Sequence, residues 1–334
     1  MKNIFIIAEA GVNHNGSLTR AIEMIKVAAN AGADAIKFQT FIPSDLATNH
    51  AKKAKYQSIN SSKDESHLKM LSKLALPLKD FKVLKQECTK NNIEFMSTAF
   101  DLKSLQYLSS LGMNTFKIPS GEITNLLLVE EIAKKNRKII LSTGMSTKKE
   151  ISDAIKVLVK NGQKRNKISI LHCNSEYPTP MENINLNVMK SLSNYFNLPV
   201  GISDHTLGYE VPIAAAALGA KIIEKHFTLN KNLSGPDHKT SLSPSELIKM
   251  IKYVRNIEIA LGSTTKKITK GELENLNVAR KSIVALKQIK KGDIFSKNNL
   301  TVKRPGNGIS PMKWYTVLGK KSKYEFKKDE IIKL

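Results

Sequence analysis

Short apolar runs that end in polar residues recur eight times along the first 227 residues of the chain. Their ranges are 3–11, 34–40, 94–100, 115–122, 138–145, 168–174, 200–206 and 221–227. A near-continuous apolar run of this length is typical of a parallel strand that is buried on both faces. Most of the stretches between the runs carry apolar residues at helical spacing and are long enough for a right-handed crossover. The pattern therefore predicts eight strands that alternate with helices.

Two architectures share such an alternation, the closed (β/α)8 barrel and the doubly wound open sheet. Eight strands within about 230 residues match the usual size of the barrel, which is about 250 residues. The first predicted helix starts behind Ser17 as its N-cap, and a helix over 243–261 would be the last of the ring. We therefore predict the α/β class and a (β/α)8 TIM barrel, in which the carboxyl ends of the strands form the catalytic face.

The chain is expected to divide into two domains. Residues 1–262 form the predicted TIM-barrel catalytic domain, and the polar, poorly periodic segment 263–277 is predicted to be a linker. Residues 278–334 contain short alternating pieces, which predict a small β-rich domain. A domain of under 60 residues buries little surface by itself, so it gains stability by packing against something else.

Cysteine usage and hydropathy indicate where the protein works. The chain has two cysteines, Cys88 and Cys173, and neither stands in a CxxC or zinc-like spacing. No early segment has the form of a signal peptide, and the small-apolar stretch 211–220 is far shorter than the roughly 20 residues of a membrane span. We therefore expect a cytoplasmic protein with no membrane contact.

The net charge of +24 raises the question of a nucleic-acid partner. The basic runs at 52–55 and 266–270 are scattered and lack interleaved aromatic residues, so we expect no nucleic-acid binding. Residues 278–334 carry 15 Lys and Arg against 4 Asp and Glu. Either a basic lid over an anionic substrate or a solvated surface explains this excess.

Cations and short hydroxyl side chains recur at the predicted strand ends and beyond. The cations are Lys37, Lys117, Lys225 and Arg304, and the hydroxyls are those of Ser120, Ser142, Thr143 and Ser203. Any one of them alone would be explained as a surface group. Their recurrence at equivalent strand ends instead predicts an anion site built from charge-assisted hydrogen bonds, suited to a phosphorylated and carboxylated substrate.

Two histidines and two carboxylates complete the candidate chemistry. His205 and His226 end the seventh and eighth strands, which are neighbours in a barrel, and could hold a divalent ion that acts as a Lewis acid on a carbonyl. A lone histidine there would more simply be a structural residue. Glu9 and Glu122 end the first and fourth strands and could be acid/base groups or ion-pair partners of lysines.

These residues stand within a series of longer motifs that closely resembles the sialic acid synthase family over essentially the whole chain. The motifs are AEAGVNHNG (8–16), KFQTF (37–41), STAF (97–100), FKIPSGE (116–122), LSTGM (141–145), HCNSEYPTP (172–180), GISDHTLG (201–208), EKHFTL (224–229), GPDH (235–238) and VKRPGNGISP (302–311). The resemblance implies an enzyme that makes nine-carbon 2-keto sugar acids. It also implies that the C-terminal domain is an antifreeze-like, or SAF, domain.

The resemblance further implies a role for each matching residue. Those implied to bind phosphoenolpyruvate are Lys37, Gln39 and Thr98 at its carboxylate and Lys117, Ser120, Ser142 and Ser203 at its phosphate. His205 and His226 are implied to ligate Mn²⁺ or Mg²⁺, which polarises the aldehyde of the open-chain sugar, and Glu9 and Glu122 are the implied acid/base residues. The implied sugar contacts are Ser175, Tyr177, Asp237 and Arg304, the last from the C-terminal domain of an exchanged homodimer.

The resemblance leaves the sugar open. The 4-acetamido-4,6-dideoxy analogue of N-acetylmannosamine would give N,N'-diacetyllegionaminate, which is our leading expectation. N-acetylmannosamine itself would give N-acetylneuraminate, and the motifs at 9–16 and 235–238 disfavour the pseudaminate branch. An alternative of another class is a non-catalytic carbohydrate-binding protein, which would have no reason to keep His205, His226, Lys117 and Glu9 together.

Overall fold

The computed structural model describes residues 4–60 and 65–334 and divides the chain into two compact units. The first is Met1–Gly262 and the second is Ser263–Leu334. The first unit contains the eight parallel strands that the sequence predicts, and the second contains a two-stranded antiparallel sheet.

The eight strands of the first unit form one nearly closed parallel barrel. They are β1 (Phe5–Gly11), β2 (Ala35–Thr40), β3 (Glu94–Ala99), β4 (Thr115–Ile118), β5 (Lys138–Ser142), β6 (Ile168–Cys173), β7 (Val200–Asp204) and β8 (Ile222–His226). Their order in the sheet is β3-β2-β1-β8-β7-β6-β5-β4, so the first and last strands of the barrel pair in the middle of this order. At the seam between β3 and β4, the Thr115 hydroxyl donates a 2.7 Å hydrogen bond to Glu94. The prediction of a TIM barrel is confirmed.

Helices surround the barrel. They are α1 (Leu18–Asn30), α2 (Pro43–Leu46), α3 (Lys55–Asn60), α4 (His67–Leu74), α5 (Asp80–Lys90), α6 (Leu102–Ser110), α7 (Leu126–Lys134), α8 (Lys148–Lys160), α9 (Met181–Ile184), α10 (Val188–Phe196), α11 (Glu210–Ala217) and α12 (Pro244–Leu261). The Ser17 hydroxyl caps α1 by accepting from the Arg20 amide. The main core lies between these helices and the outer face of the strands, as the apolar faces of both require.

Side-chain alternation along each strand separates two kinds of core. Residues that point outward pack under the helices, whereas inward residues such as Ile7, Met96, Leu171 and Ile222 form a small cluster inside the barrel. Above this cluster, the next inward positions toward the carboxyl end carry polar side chains. The alternation thus decides which of two neighbouring polar residues at a strand end faces the barrel axis.

The second unit has its own small core. It contains α13 (Lys270–Ala279), β9 (Ser282–Ala285), β10 (Leu300–Lys303) and α14 (Trp314–Val317). Buried apolar residues that include Ile283, Phe295 and Phe326 pack behind the β9–β10 pair. The segment that the sequence predicts to be a linker carries most of α13, because Thr269 and Glu272 form a capping box that starts a helix there.

Hydropathy along the helices bears on membrane contact. Within residues 4–60 and 65–334, each helix is too short or too polar to cross a bilayer.

Candidate active site

The carboxyl ends of the barrel strands surround a cavity of about 360 Å³, called here the mouth cavity. It is lined by Glu9, Lys37, Gln39, Ala54, Tyr56, Thr98, Phe100, Lys117, Pro119, Ser120, Gly121, Ser142, Met145, Cys173, Ser175, Tyr177, Ser203, His205, Glu224 and His226. Most of the residues that the sequence nominates as a site therefore meet in one place. A cavity of this size suits two small substrates bound side by side.

Four ionisable side chains, two lysines and two glutamates, form the floor of the mouth cavity. Lys37 Nζ lies 2.8 Å from Glu9 Oε2 and 3.7 Å from Glu224 Oε2, and Lys117 Nζ lies 2.8 Å from Glu224 Oε1. All four are buried. Each of the two carboxyl groups lies 2.8 Å from a lysine, and such pairing is the arrangement that makes buried charges tolerable.

Burial and neighbouring charges set the protonation of this floor. Burial raises the pKa of Glu9 to about 7, and Lys37 only partly offsets this effect. Burial also acts to raise the pKa of Glu224. The positive charges of Lys117 and Lys37 outweigh this effect and hold that pKa well below its usual range. The two carboxylates thus differ: Glu224 stays ionised near neutrality, whereas Glu9 exchanges a proton there.

Hydroxyl groups stand around Lys117 on one side of the cavity. The Ser203 hydroxyl donates a 2.8 Å hydrogen bond to Glu224 Oε1, the same oxygen that Lys117 contacts. The Ser142 hydroxyl is buried and has no partner within the described part of the chain. The Ser120 hydroxyl accepts from the Gly144 amide at 3.0 Å, and a Cβ at Gly144 would lie 2.8 Å from that oxygen. These groups form a pocket of donors suited to a phosphate.

Polar side chains from β2 and β3 stand around Lys37 on another part of the cavity wall. Thr98 Oγ1 lies 3.2 Å from Lys37 Nζ, and Gln39 follows Lys37 at the next inward position of β2. Lys37, Gln39 and Thr98 all line the mouth cavity, as the sequence predicts for a shared anion site.

Two histidines and a tyrosine form the other side of the cavity. The rings of His205 and His226 lie 5.5 Å apart between centroids, and Tyr177 stacks on His205 at 4.0 Å. His205 Nδ1 donates a 2.6 Å hydrogen bond to the Asn174 carbonyl, and its Nε2 lies 3.0 Å from the Tyr177 hydroxyl.

The histidine pair has the properties of metal ligands. A ring nitrogen fixed by a backbone carbonyl, as in His205, is the common outer partner of a ligating histidine. Burial lowers the pKa of His226 well below its usual range, so its ring is neutral, and its Nδ1 is buried without a partner within the described ranges. Residues 4–60 and 65–334 contain no cluster of three or more His, Cys, Asp or Glu that could hold an ion. A divalent ion held by these two imidazoles alone would need water and substrate oxygens at its other positions.

Among the nominated residues that do not line the mouth cavity are Glu122, Asp237 and Arg304. Glu122 lies in a one-turn helix after β4 and accepts a 2.6 Å hydrogen bond from Asn125. Asp237 is buried, which raises its pKa to about 6, and it lies close enough to His205 for that ring's charge to act on it. Arg304 belongs to the second unit, where its guanidinium donates to the Ala279 carbonyl at 3.0 Å.

The expectation that Lys225 and Thr143 serve the anion site is wrong. Lys225 alternates with Glu224 and His226 and points away from the barrel axis, where it forms a 2.6 Å ion pair with Asp204. The Thr143 hydroxyl donates to the Leu171 carbonyl. Both side chains satisfy their polar groups within the fold rather than in the cavity.

Sequence reasoning did not assign Glu224, Tyr56 or Cys173 to the site. For Glu224 a signal existed, because it stands two residues before His226 and so faces the same side of β8. Cys173 occupies an inward position at the end of β6, with its sulfur 3.8 Å from His205 Nδ1. Tyr56 belongs to an irregular segment between β2 and α5, where no period marks the inward face.

Comparisons with known proteins agree over the whole chain. A sequence model of the NeuB family matches residues 24–266, and one of the SAF domain matches residues 280–334. The chain is 54% identical over 333 residues to an N,N'-diacetyllegionaminic acid synthase from Campylobacter jejuni subsp. jejuni, with 100% of both chains covered. It is 42% identical to a protein with the same name from Legionella pneumophila subsp. pneumophila, which covers 94% of this chain and 89% of the relative.

A solved structure gives the same result. The N-acetylneuraminic acid (sialic acid) synthetase of Leptospira borgpetersenii serovar Hardjo-bovis, determined with citrate, superimposes with a TM-score of 0.71 at 34% identity. The superposition covers 82% of this chain and 90% of that one.

Proposed function

The chain belongs to the NeuB family, and we propose that it condenses phosphoenolpyruvate with 2,4-diacetamido-2,4,6-trideoxymannose and water to give N,N'-diacetyllegionaminate and phosphate. The protein is a transferase-type enzyme that makes a nonulosonic acid. Two of its relatives are named as synthases of such an acid. The observation that carries the proposal is the division of the mouth cavity into a lysine and hydroxyl side and a histidine and tyrosine side. One side suits a phosphorylated carboxylate and the other an aldehyde sugar.

On the first side, two anionic groups of phosphoenolpyruvate would meet two cations. Lys37 with Gln39 and Thr98 would hold the carboxylate, and Lys117 with the serine hydroxyls would hold the phosphate. Glu224 Oε1 accepts hydrogen bonds from both Lys117 and Ser203. It keeps these donors ordered for the incoming phosphate, and Lys37 can remain its partner afterwards.

On the second side, His205 and His226 would hold Mn²⁺ or Mg²⁺. The bound ion would supply Lewis acidity toward the aldehyde oxygen of the open-chain sugar. Tyr177 packs against His205 on this side, Asp237 lies close enough to His205 for their charges to interact, and Ser175 lines the same cavity next to Ser120. They would orient the sugar so that its aldehyde carbon faces phosphoenolpyruvate.

The condensation then follows from these positions. The C2–C3 π electrons of phosphoenolpyruvate form the new bond from C3 to the aldehyde carbon, which leaves C2 electron-poor. The aldehyde oxygen takes up a proton to become a hydroxyl, and the proton that the attacking water loses balances this uptake. Water adds to C2, and phosphate leaves with the bridging oxygen, so that the 2-keto group forms. The Glu9 carboxylate lies on the floor beside Lys37. It would stabilise the positive charge at C2 and accept the proton of the attacking water.

The proposal is tested by phosphate release from purified protein. Release should require phosphoenolpyruvate, the diacetamido sugar and a divalent ion together. Release without any sugar would indicate a phosphatase instead. Binding of the sugar with no release under any metal would favour the non-catalytic alternative.

The pH dependence of the reaction should report Glu9. Because its pKa is about 7 and the carboxylate is the active form, kcat/KM should rise about tenfold per pH unit below pH 7 and level off above it. In Glu9→Gln protein, the remaining activity should lack this bend. A wild-type profile that stays flat from pH 5.5 to 8 would contradict the role given to Glu9.

We further propose that the enzyme is an exchanged homodimer in which Arg304 completes the partner's site. Arg304→Ala and Glu9→Ala proteins should each be nearly inactive. When they are refolded together, half of the dimers are mixed and each has one intact site, so about a quarter of the wild-type activity should return. Each protein refolded alone is the control. Verified mixed dimers with no activity would show that Arg304 serves its own barrel.

A further inference from the structure

An unusually long segment joins β2 to its crossover helix. It spans residues 41–79 and contains α2, α3 and α4, whereas such a connection usually has 2–6 residues. Two parts of it differ in how they are held. Met70, Leu71 and Leu74 of α4 pack on Phe41 and Val12 in a small buried cluster. α3 stands at the mouth cavity, which Ala54 and Tyr56 line.

The ring of Tyr177 connects Tyr56 to the histidine side of the mouth cavity. Its ring stacks on Tyr177 with 4.8 Å between centroids and 21° between planes. Tyr177 in turn stacks on His205 at 4.0 Å and meets His226 edge-on at 5.9 Å. A continuous aromatic wall therefore runs from α3 to the two histidines, and Tyr56 is its outer end.

The wall lies on the side of the cavity that the anionic substrate does not need. The charged floor consists of Glu9, Lys37, Lys117 and Glu224. By contrast, Ala54 stands two residues before Tyr56 and adds to the non-polar lining. A ligand that touches both parts needs anionic groups at one end and non-polar surface at the other.

We propose that Tyr56 is a specificity-determining residue whose ring packs against the non-polar groups of an acylated, deoxygenated amino sugar. The inference rests on the proposed function. A 2,4-diacetamido-6-deoxy sugar offers three methyl groups, one at C6 and two on the acetamido groups. N-acetylmannosamine offers one, and it carries hydroxyls at C4 and C6 that an aromatic face would leave without partners. The wall therefore favours the first sugar.

Steady-state kinetics with both sugars test this role. Tyr56→Ala should raise the KM for the diacetamido sugar by about tenfold or more, because a ring contact is lost, and change the KM for phosphoenolpyruvate by less than about twofold. The preference for the diacetamido sugar over N-acetylmannosamine, as a ratio of kcat/KM, should fall by a similar factor. Tyr56→Phe keeps the ring and should restore wild-type values within about threefold.

Two controls separate recognition from folding. Tyr195→Ala removes a surface tyrosine of α10 whose ring meets Phe196 edge-on, and it should leave every constant unchanged. Tyr56→Leu fills a similar volume without an aromatic face, so it serves if the alanine variant does not fold, and it should also raise the sugar KM.

Equal rises in both KM values, or an unchanged sugar KM in folded Tyr56→Ala and Tyr56→Leu proteins, would overturn the role of Tyr56 while the proposed function stands. A wild-type protein that releases no phosphate with either sugar would overturn both.

Discussion

Replacing His226 with alanine is expected to lower kcat at least about a thousandfold while the protein stays folded. His226 is neutral and buried, and its Nδ1 has no partner within the described residues, so its replacement would remove a proposed metal ligand without breaking a hydrogen bond at that nitrogen. His205→Ala should have the same effect on kcat. Both variants should also lose Mn²⁺ binding, which electron paramagnetic resonance of the purified proteins measures without any substrate.

The control for this pair is His50→Ala, which changes an exposed histidine outside the mouth cavity. It should bind Mn²⁺ and turn over as the wild type does. An excess of chelator should abolish wild-type activity, and added Mn²⁺ should restore it. Full turnover in either site variant, or after exhaustive chelation, would remove the metal role from the two histidines.

Lys117→Ala should weaken the binding of phosphoenolpyruvate much more than the binding of the sugar. Loss of one charge-assisted hydrogen bond to phosphate costs about 1.5–3 kcal/mol, which corresponds to a rise of about 10- to 150-fold in the KM for phosphoenolpyruvate. The variant also leaves Glu224 with one lysine, at 3.7 Å. An under-compensated buried carboxylate should lower the Tm as well.

A second substitution separates these two effects. Adding Glu224→Gln to Lys117→Ala removes the under-compensated charge, so it should recover part of the Tm without recovering the affinity for phosphoenolpyruvate. Lys138→Ala, at the amino end of β5, is the matched lysine control. An unchanged KM for phosphoenolpyruvate in folded Lys117→Ala protein would show that Lys117 does not bind the phosphate.

The barrel and most of its site could be predicted from the sequence because a parallel strand carries its own signal. Each run is apolar until its carboxyl end, and the family motifs begin there, so Lys37, Lys117 and His226 could be found from local sequence alone. The family and the SAF domain that these motifs imply are confirmed by the matches over 24–266 and 280–334.

The errors at strand ends have one physical cause. Runs of polar residues such as Glu224, Lys225 and His226 contain both inward and outward positions, and counting them together hides the alternation. Because successive side chains of a strand point to opposite faces, Glu224 shares the face of His226 toward the cavity, and Lys225 lies on the opposite face. Such a correction needs no structure.

Other features need tertiary contacts. Tyr56 enters the cavity from a segment whose short helices follow no single period, and only its stacking on Tyr177 reveals it. The balance of charges that separates the pKa of Glu9 from that of Glu224 depends on distances across the barrel between β1, β2, β4 and β8. Sequence order alone does not give those distances.

The mass of the reaction product tests the proposed activity most directly. The protein is incubated with phosphoenolpyruvate, Mn²⁺ and either 2,4-diacetamido-2,4,6-trideoxymannose or N-acetylmannosamine, and the products are compared by mass spectrometry alongside phosphate release. We expect one phosphate per molecule of a nine-carbon 2-keto acid, with N,N'-diacetyllegionaminate formed far faster than N-acetylneuraminate. Formation of N-acetylneuraminate alone would contradict the proposed sugar, and the absence of a nine-carbon acid from both incubations would contradict the proposed reaction.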